Sequence, residues 1–139
     1  MLKTVVLLAS ALIACSAYAQ APYTGPDFSG VYSCTGNDSH EGLYTGKVTL
    51  ELVRVQSTGE YGAYNFKLEV PNYGAYPGEA AAHGMQMAIH FANTDPKTQD
   101  FGTGIARFSK KGGKWTFHKY YYEPEFKGGN FGTEDCVHQ

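Results

Sequence analysis

Tyr64-Asn65-Phe66-Lys67-Leu68-Glu69-Val70 places an aromatic or aliphatic side chain at every second position and a polar one between each pair. Successive side chains of a β-strand point to opposite sides, so this spelling describes a strand with one buried and one wetted face. Val48, Leu50 and Leu52 alternate with Thr49 and Glu51 in the same way, and Ser57-Thr58-Gly59-Glu60 supplies a hairpin turn between the two runs. After Leu52 the phase slips to Val53 and Val55, the pattern of a bulge or of a strand changing its surroundings. Pro71-Asn72-Tyr73-Gly74 ends the second run.

The same period continues down the chain. Met85, Met87, Ile89 and Phe91 share one face, opposite Gln86, Ala88 and His90. Residues 93–98 form a turn by composition, and residues 103–109 and 115–122 are strands around the basic, glycine-containing turn at 110–114. With residues 28–34 as the first, six strands are predicted, with room for short ones near 73–76 and 126–136. Residues 78–83, Gly-Glu-Ala-Ala-Ala-His, are the one helical fragment. Short connections make sequence neighbours antiparallel neighbours in space. The expected fold is all-β: a small antiparallel up-and-down β-barrel over residues 28–139, the alternative being a compact two-sheet sandwich. Residues 20–27 are expected as a flexible lead.

At the N-terminus, Lys3 precedes an apolar run from Val5 to Ala14. A run of about ten residues is too short to span a bilayer and has the form of a secretory signal. Two cleavage readings compete. Ala17-Tyr18-Ala19 before Gln20 has the small-x-small form of an ordinary signal-peptidase site, making residues 1–19 a signal peptide. Leu12-Ile13-Ala14-Cys15 has the form of a lipoprotein signal over residues 1–14, which would leave Cys15 lipidated. The expected location is therefore the periplasm or the exterior, or, in the alternative, the outer membrane through a lipid anchor.

Either route takes Cys15 out of the thiol inventory, leaving Cys34 and Cys136 as an even pair in an oxidising compartment and predicting one disulfide. The alternative is two buried free thiols. Cleavage before Gln20 leaves 120 of the 139 residues, with ten basic and thirteen acidic side chains and a formal charge of −3. That is one domain with its own core and no transmembrane span expected in the mature chain, and without a basic stripe to neutralise phosphates nucleic acid is not an expected partner.

Several clusters have the composition of sites. Asp38, His40 and Glu41, in the polar run at 37–41, offer a carboxylate and imidazole set for acid–base work or a divalent ion, and the same residues spell a solvated turn. His83, Met85 and Met87 at alternate positions form a soft ligand set suited to copper(I), the alternative to the expectation of no cofactor, although Ile89 and Phe91 continue that face as plain hydrocarbon. On residues 115–122, Trp115, Phe117, Lys119 and Tyr121 share one face, and His118, Tyr120 and Tyr122 the other. Both cannot be deep core, so Tyr120 and Tyr122 are candidates for partner binding. Glu123 and Glu125 flank Pro124 and could face a cleft together. No nucleophile elbow, paired-cysteine metal knuckle, phosphate-cradling glycine loop or His-Glu-x-x-His helix is present, and the expectation is a non-enzymatic protein.

Two resemblances follow from particular residues. Gly30-Val31-Tyr32 resembles the Gly-x-Trp start of calycin barrels, the lipocalin and avidin group, which implies a barrel holding a small ligand inside. Tyr32-Ser33-Cys34 with Cys136, and the segment at 102–108, are similar to the exported bacterial inhibitors of c-type lysozymes. That resemblance implies a disulfide-closed barrel in which Thr103 stands for a serine whose hydroxyl reaches the lysozyme's catalytic carboxylates, with Gly104 and Arg107 beside it. The expected function is thus an exported binding barrel for a protein or a small molecule, either lysozyme-inhibitor-like or a ligand carrier. A copper-binding protein and a structural envelope protein without a soluble ligand are the alternatives.

Overall fold

The computed structural model describes residues 20–139. Residues 1–19, over which a targeting segment is expected, lie with Cys15 outside the described residues. Eight strands in sequence order close an antiparallel up-and-down barrel. They are β1 (Gly30–Asp38), β2 (Gly42–Leu52), β3 (Tyr61–Val70), β4 (Gly74–His83), β5 (Gln86–Ala92), β6 (Phe101–Lys111), β7 (Lys114–Glu123) and β8 (Asn130–His138). The barrel, not the sandwich, is therefore the architecture. It closes where β8 pairs with β1, and Cys34 stands directly opposite Cys136 with their sulfurs bonded.

Period-two alternation holds on every strand, and on β3 the buried residues are Gly62, Tyr64, Phe66, Leu68 and Val70. Three local expectations change. The phase slip after Leu52 is not a bulge: β2 ends there and a 3-10 turn at Arg54–Gln56 carries Val55 into solvent. The alanine run at 78–83 is strand and not helix, because β3 and β5 pair with β4 on its two sides and their ladders outweigh alanine's local preference. The space left for a short strand near 126–136 holds β8, a full wall of the barrel.

One end of the interior is apolar. Phe28, outside the first strand, plugs it, stacked on Phe108 with centroids 3.9 Å apart and meeting Trp115 edge-on at 4.9 Å. Tyr32 donates to the Phe28 carbonyl at 2.8 Å, and Tyr64 donates to the Pro26 carbonyl at 3.0 Å. The stretch expected as a flexible lead is thus stitched to this end, with further bonds from Thr24 N–H to the Gly59 carbonyl and from Gln20 to the Ser57 carbonyl. Among the described residues no helix is long and apolar enough to cross a membrane.

Candidate functional site

The opposite end of the barrel is polar, because the inward positions of β7 and β8 include Lys119, Glu123, Asn130 and Glu134, all buried. Lys119 and Glu134, each 0 % exposed, form an ion pair at 2.6 Å. The other Glu134 oxygen accepts from Tyr44 at 2.6 Å, and Lys119 Nζ finds no further acceptor. Its ammonium lies 5.2 to 5.3 Å from the ring centroids of Phe66, Phe91 and Tyr121. Two glycines give the tyrosines room: a Cβ on Gly36 would meet the Tyr44 ring at 2.2 Å, and one on Gly132 would meet the Tyr121 hydroxyl at 2.3 Å.

A chain of carboxyl groups runs along the mouth. Asp38 accepts from Tyr121 and Asn130 at 2.8 Å and from the backbone N–H groups of His40 and Glu41. Burial pushes its carboxyl up, but these donors outweigh burial and hold it below the ordinary aspartate value. Asn130 also donates to Glu123. Burial first, and then the Asp100 carboxylate beside it, push Glu123 up to about 8. Asp100, just ahead of β6, accepts from Tyr76 at 2.8 Å through one oxygen, while the other has no partner. At the rim Lys127 and Tyr73 both donate to Glu41 and hold it below its ordinary value. The cavity these groups enclose has a volume of about 50 Å³.

The polar run at 37–41 is therefore part of the barrel mouth. Asp38 and Glu41 enter its hydrogen-bond network, while His40 stays outside, 3.1 Å from the Gly129 carbonyl. Glu123 and Glu125 do not share a cleft, since Glu123 faces the interior and Glu125 faces solvent. His83, Met85 and Met87 do not share one either. A hairpin turn falls between His83 and Met87, which is fully buried in the core; Met85 is exposed, and the His83 ring stacks on Tyr61 at 4.6 Å. Ile89 and Phe91 were the sequence signal for that packing, because Met87 continues their buried face.

Thr103, Tyr120 and Tyr122, the candidates for partner binding, lie together on the outer wall. Glu79, His90, Thr103, Tyr122 and Phe131 lie in one cross-strand row, and Ala81, Ala88, Ile105, Tyr120 and Thr133 in the next. The alanines make a trough between β4 and β7, with Thr103 in its floor and Tyr120 and Tyr122 along one side. Tyr120, Tyr122 and Phe131 are 57 %, 52 % and 63 % exposed. Arg107 sits one outward row further along, opposite His118, which is 2.8 Å from Asp135. Gly104 contributes only backbone, since its side-chain direction is inward and a Cβ there would meet the Tyr120 carbonyl at 2.7 Å.

Sequence reading did not find Lys119, Asp100, Asn130 and Glu134 as an interior group. Compared with known proteins, the chain matches no family model, no curated protein and no solved structure.

Proposed function

We propose that this chain is an exported, non-enzymatic barrel that binds a partner protein through the outer wall of β4 to β8, with lysozyme inhibition as the sharpest form of the reading. The observation that carries it is the trough: the exposed rings of Tyr120 and Tyr122, with exposed Phe131 opposite Tyr122 on the next strand, stand beside a hydroxyl that makes no hydrogen bond among the described residues. Such rings offer rigid contact area with little entropy to lose on binding, and contiguous exposed apolar surface of this kind marks interaction sites. The filled barrel supports the same choice, because a cavity of about 50 Å³ is well short of what a lipid-sized cargo needs.

Thr103 lies between His90 and Tyr122 in the wall, so a partner reaches it with a projecting group rather than around a protruding loop. The excess of acidic over basic side chains favours approach of a basic partner. Export rests on the N-terminal pattern, and the Cys34–Cys136 bridge accords with an oxidising compartment. The test is a lysozyme clearing assay on bacterial cell walls with excess purified protein. Lysis is expected to slow, and Tyr122→Ala or Thr103→Tyr to weaken the effect at least tenfold; lysis that proceeds at its normal rate rejects the lysozyme form.

A further inference from the structure

Three carboxyl groups at the barrel mouth have no cationic partner among the described residues. Asp38 accepts only from neutral donors: Tyr121, Asn130 and two backbone N–H groups. Asp100 is buried, with one oxygen bonded to Tyr76 and the other without a donor beyond the Glu123 carboxyl beside it. Glu123, also buried, shares Asn130 with Asp38. The neighbouring carboxylates are already paired, Glu134 with Lys119 and Glu41 with Lys127. A buried acceptor facing a polar cavity is costly to leave open, so beside Asp38, Asp100 and Glu123 the mouth is short of positive charge, the Lys119 ammonium being held by Glu134.

The walls are aromatic, from Tyr44, Tyr76, Phe91 and Tyr121. Lys119 lines the same cavity and shows how its walls hold an ammonium, with Phe66, Phe91 and Tyr121 around the cation and Glu134 on it. From the convergence of Asp38, Asp100 and Glu123 on one aromatic-walled cavity, we infer that the barrel mouth is a binding site for a small primary ammonium compound. This site is separate from the outer trough and stands whether or not the trough binds a protein.

The chemistry selects within the class of cations. A primary ammonium carries N–H donors that can answer the open Asp100 oxygen, whereas a quaternary ammonium carries none. No three His, Cys, Asp or Glu side chains among the described residues cluster as they would around a metal ion. The carboxyl groups line one cavity without closing on a single point, which suits an organic cation. A volume of about 50 Å³ has room for three or four water-sized groups, the size of methylammonium or ethanolammonium.

Binding is linked to a proton. Glu123 faces Asp100 from the loop before β6, Asp38 from β1 and Asn130 from β8, and it holds its proton up to about pH 8. A cation seated beside it favours the ionised form, so below that pH each ammonium bound displaces a proton from Glu123. Affinity therefore rises with pH between 6 and 8, by at most about tenfold per unit.

The test is titration calorimetry on the purified protein in phosphate buffer at fixed ionic strength, with methylammonium and ethanolammonium chloride as probes. Ethylene glycol, tetramethylammonium chloride and calcium chloride are the comparators. Saturable one-to-one binding of the two primary amines and of none of the comparators is expected, with at least tenfold loss in Asp100→Asn. Glu123→Gln, which copies the protonated carboxyl and keeps the fold, is expected to bind while losing the dependence on pH between 6 and 8. The inference is overturned by failure of both amines to bind, by equal binding of tetramethylammonium or calcium, or by a Glu123→Gln variant that keeps the parent's pH dependence. That last result decides the matter even if Asp100→Asn does not fold.

Discussion

Lys119 and Glu134 illustrate how far a single side chain can depart from its usual place. Both are charged residue types at fully buried positions, and each owes its tolerance there to the other. Removing one member strands the remaining charge, so Lys119→Met or Glu134→Leu alone is expected to cost about 3 to 5 kcal/mol. The paired replacement Lys119→Met/Glu134→Leu is expected to cost far less or to stabilise. Urea unfolding of the three variants checks this, and a lone Lys119→Met as stable as the parent would reject it. Glu123 makes a second prediction at this scale. Its folded value of about 8 lies above the ordinary 4.5, so between those two pH values the folded state holds a proton that the unfolded state has released. Its favourable contribution is complete below pH 4.5 and is lost as pH rises to about 8, with a slope of at most about 1.4 kcal/mol per pH unit. Asp38, held below 3.8, acts in the opposite direction and only in strongly acid solution. Denaturant titrations from pH 5 to 8 are expected to show declining stability in the parent and a flatter profile in Glu123→Gln. An identical profile in both would remove Glu123 as the source.

At the scale of elements, the decisive feature is the seam between β1 and β8. It joins segments at opposite ends of the sequence, with pairs from Tyr32 opposite His138 to Asp38 opposite Gly132. Bringing such distant segments together costs the unfolded chain entropy, and a crosslink spanning 102 residues removes about 4 to 5 kcal/mol of that cost. Reduction, or Cys34→Ala/Cys136→Ala, is expected to lower stability by up to that amount while the seam's hydrogen bonds keep the barrel closed in dilute buffer. Urea midpoints with and without reductant measure the loss, and equal midpoints would contradict it. The strands themselves were largely legible in the sequence, because half-buried strands carry the alternation that Tyr64 to Val70 spells out. β4 was not. Its inward residues include Gly78, Ala80 and Ala82, which are too small to mark a face, and Gly78 is required by closeness rather than by pattern: a Cβ there would lie 1.8 Å from the His90 carbonyl oxygen.

For the whole molecule, the two ends of the barrel and its outer wall offer different chemistry. Phe28 seals the apolar end, carboxyl and ammonium groups line the other, and the aromatic row crosses the wall between β6 and β8. How the molecule is delivered is a prediction at this scale. Intact-mass measurement of protein recovered from an exporting bacterium is expected to show a chain starting at Gln20. A lipid-bearing mass starting at Cys15 would establish the tethered form instead, and an unprocessed chain beginning at Met1 would contradict export.

The sequence by itself determined the strand content, the inward and outward faces of most strands and the pairing of the two cysteines, because alternation and cysteine arithmetic act over a few residues or over the whole composition. It also placed Thr103, Tyr120 and Tyr122 among the candidates. Only the tertiary structure decided that these three meet, since they come from adjacent strands whose register sets Thr103 opposite Tyr122. The structure likewise decided that Lys119, Glu123, Asn130 and Glu134 look inward, where they meet Asp38 from β1 and Asp100 from the loop before β6. A polar residue on an inward position spells the same letters as one in solvent; its partners lie on other strands, and barrel closure brings them within reach.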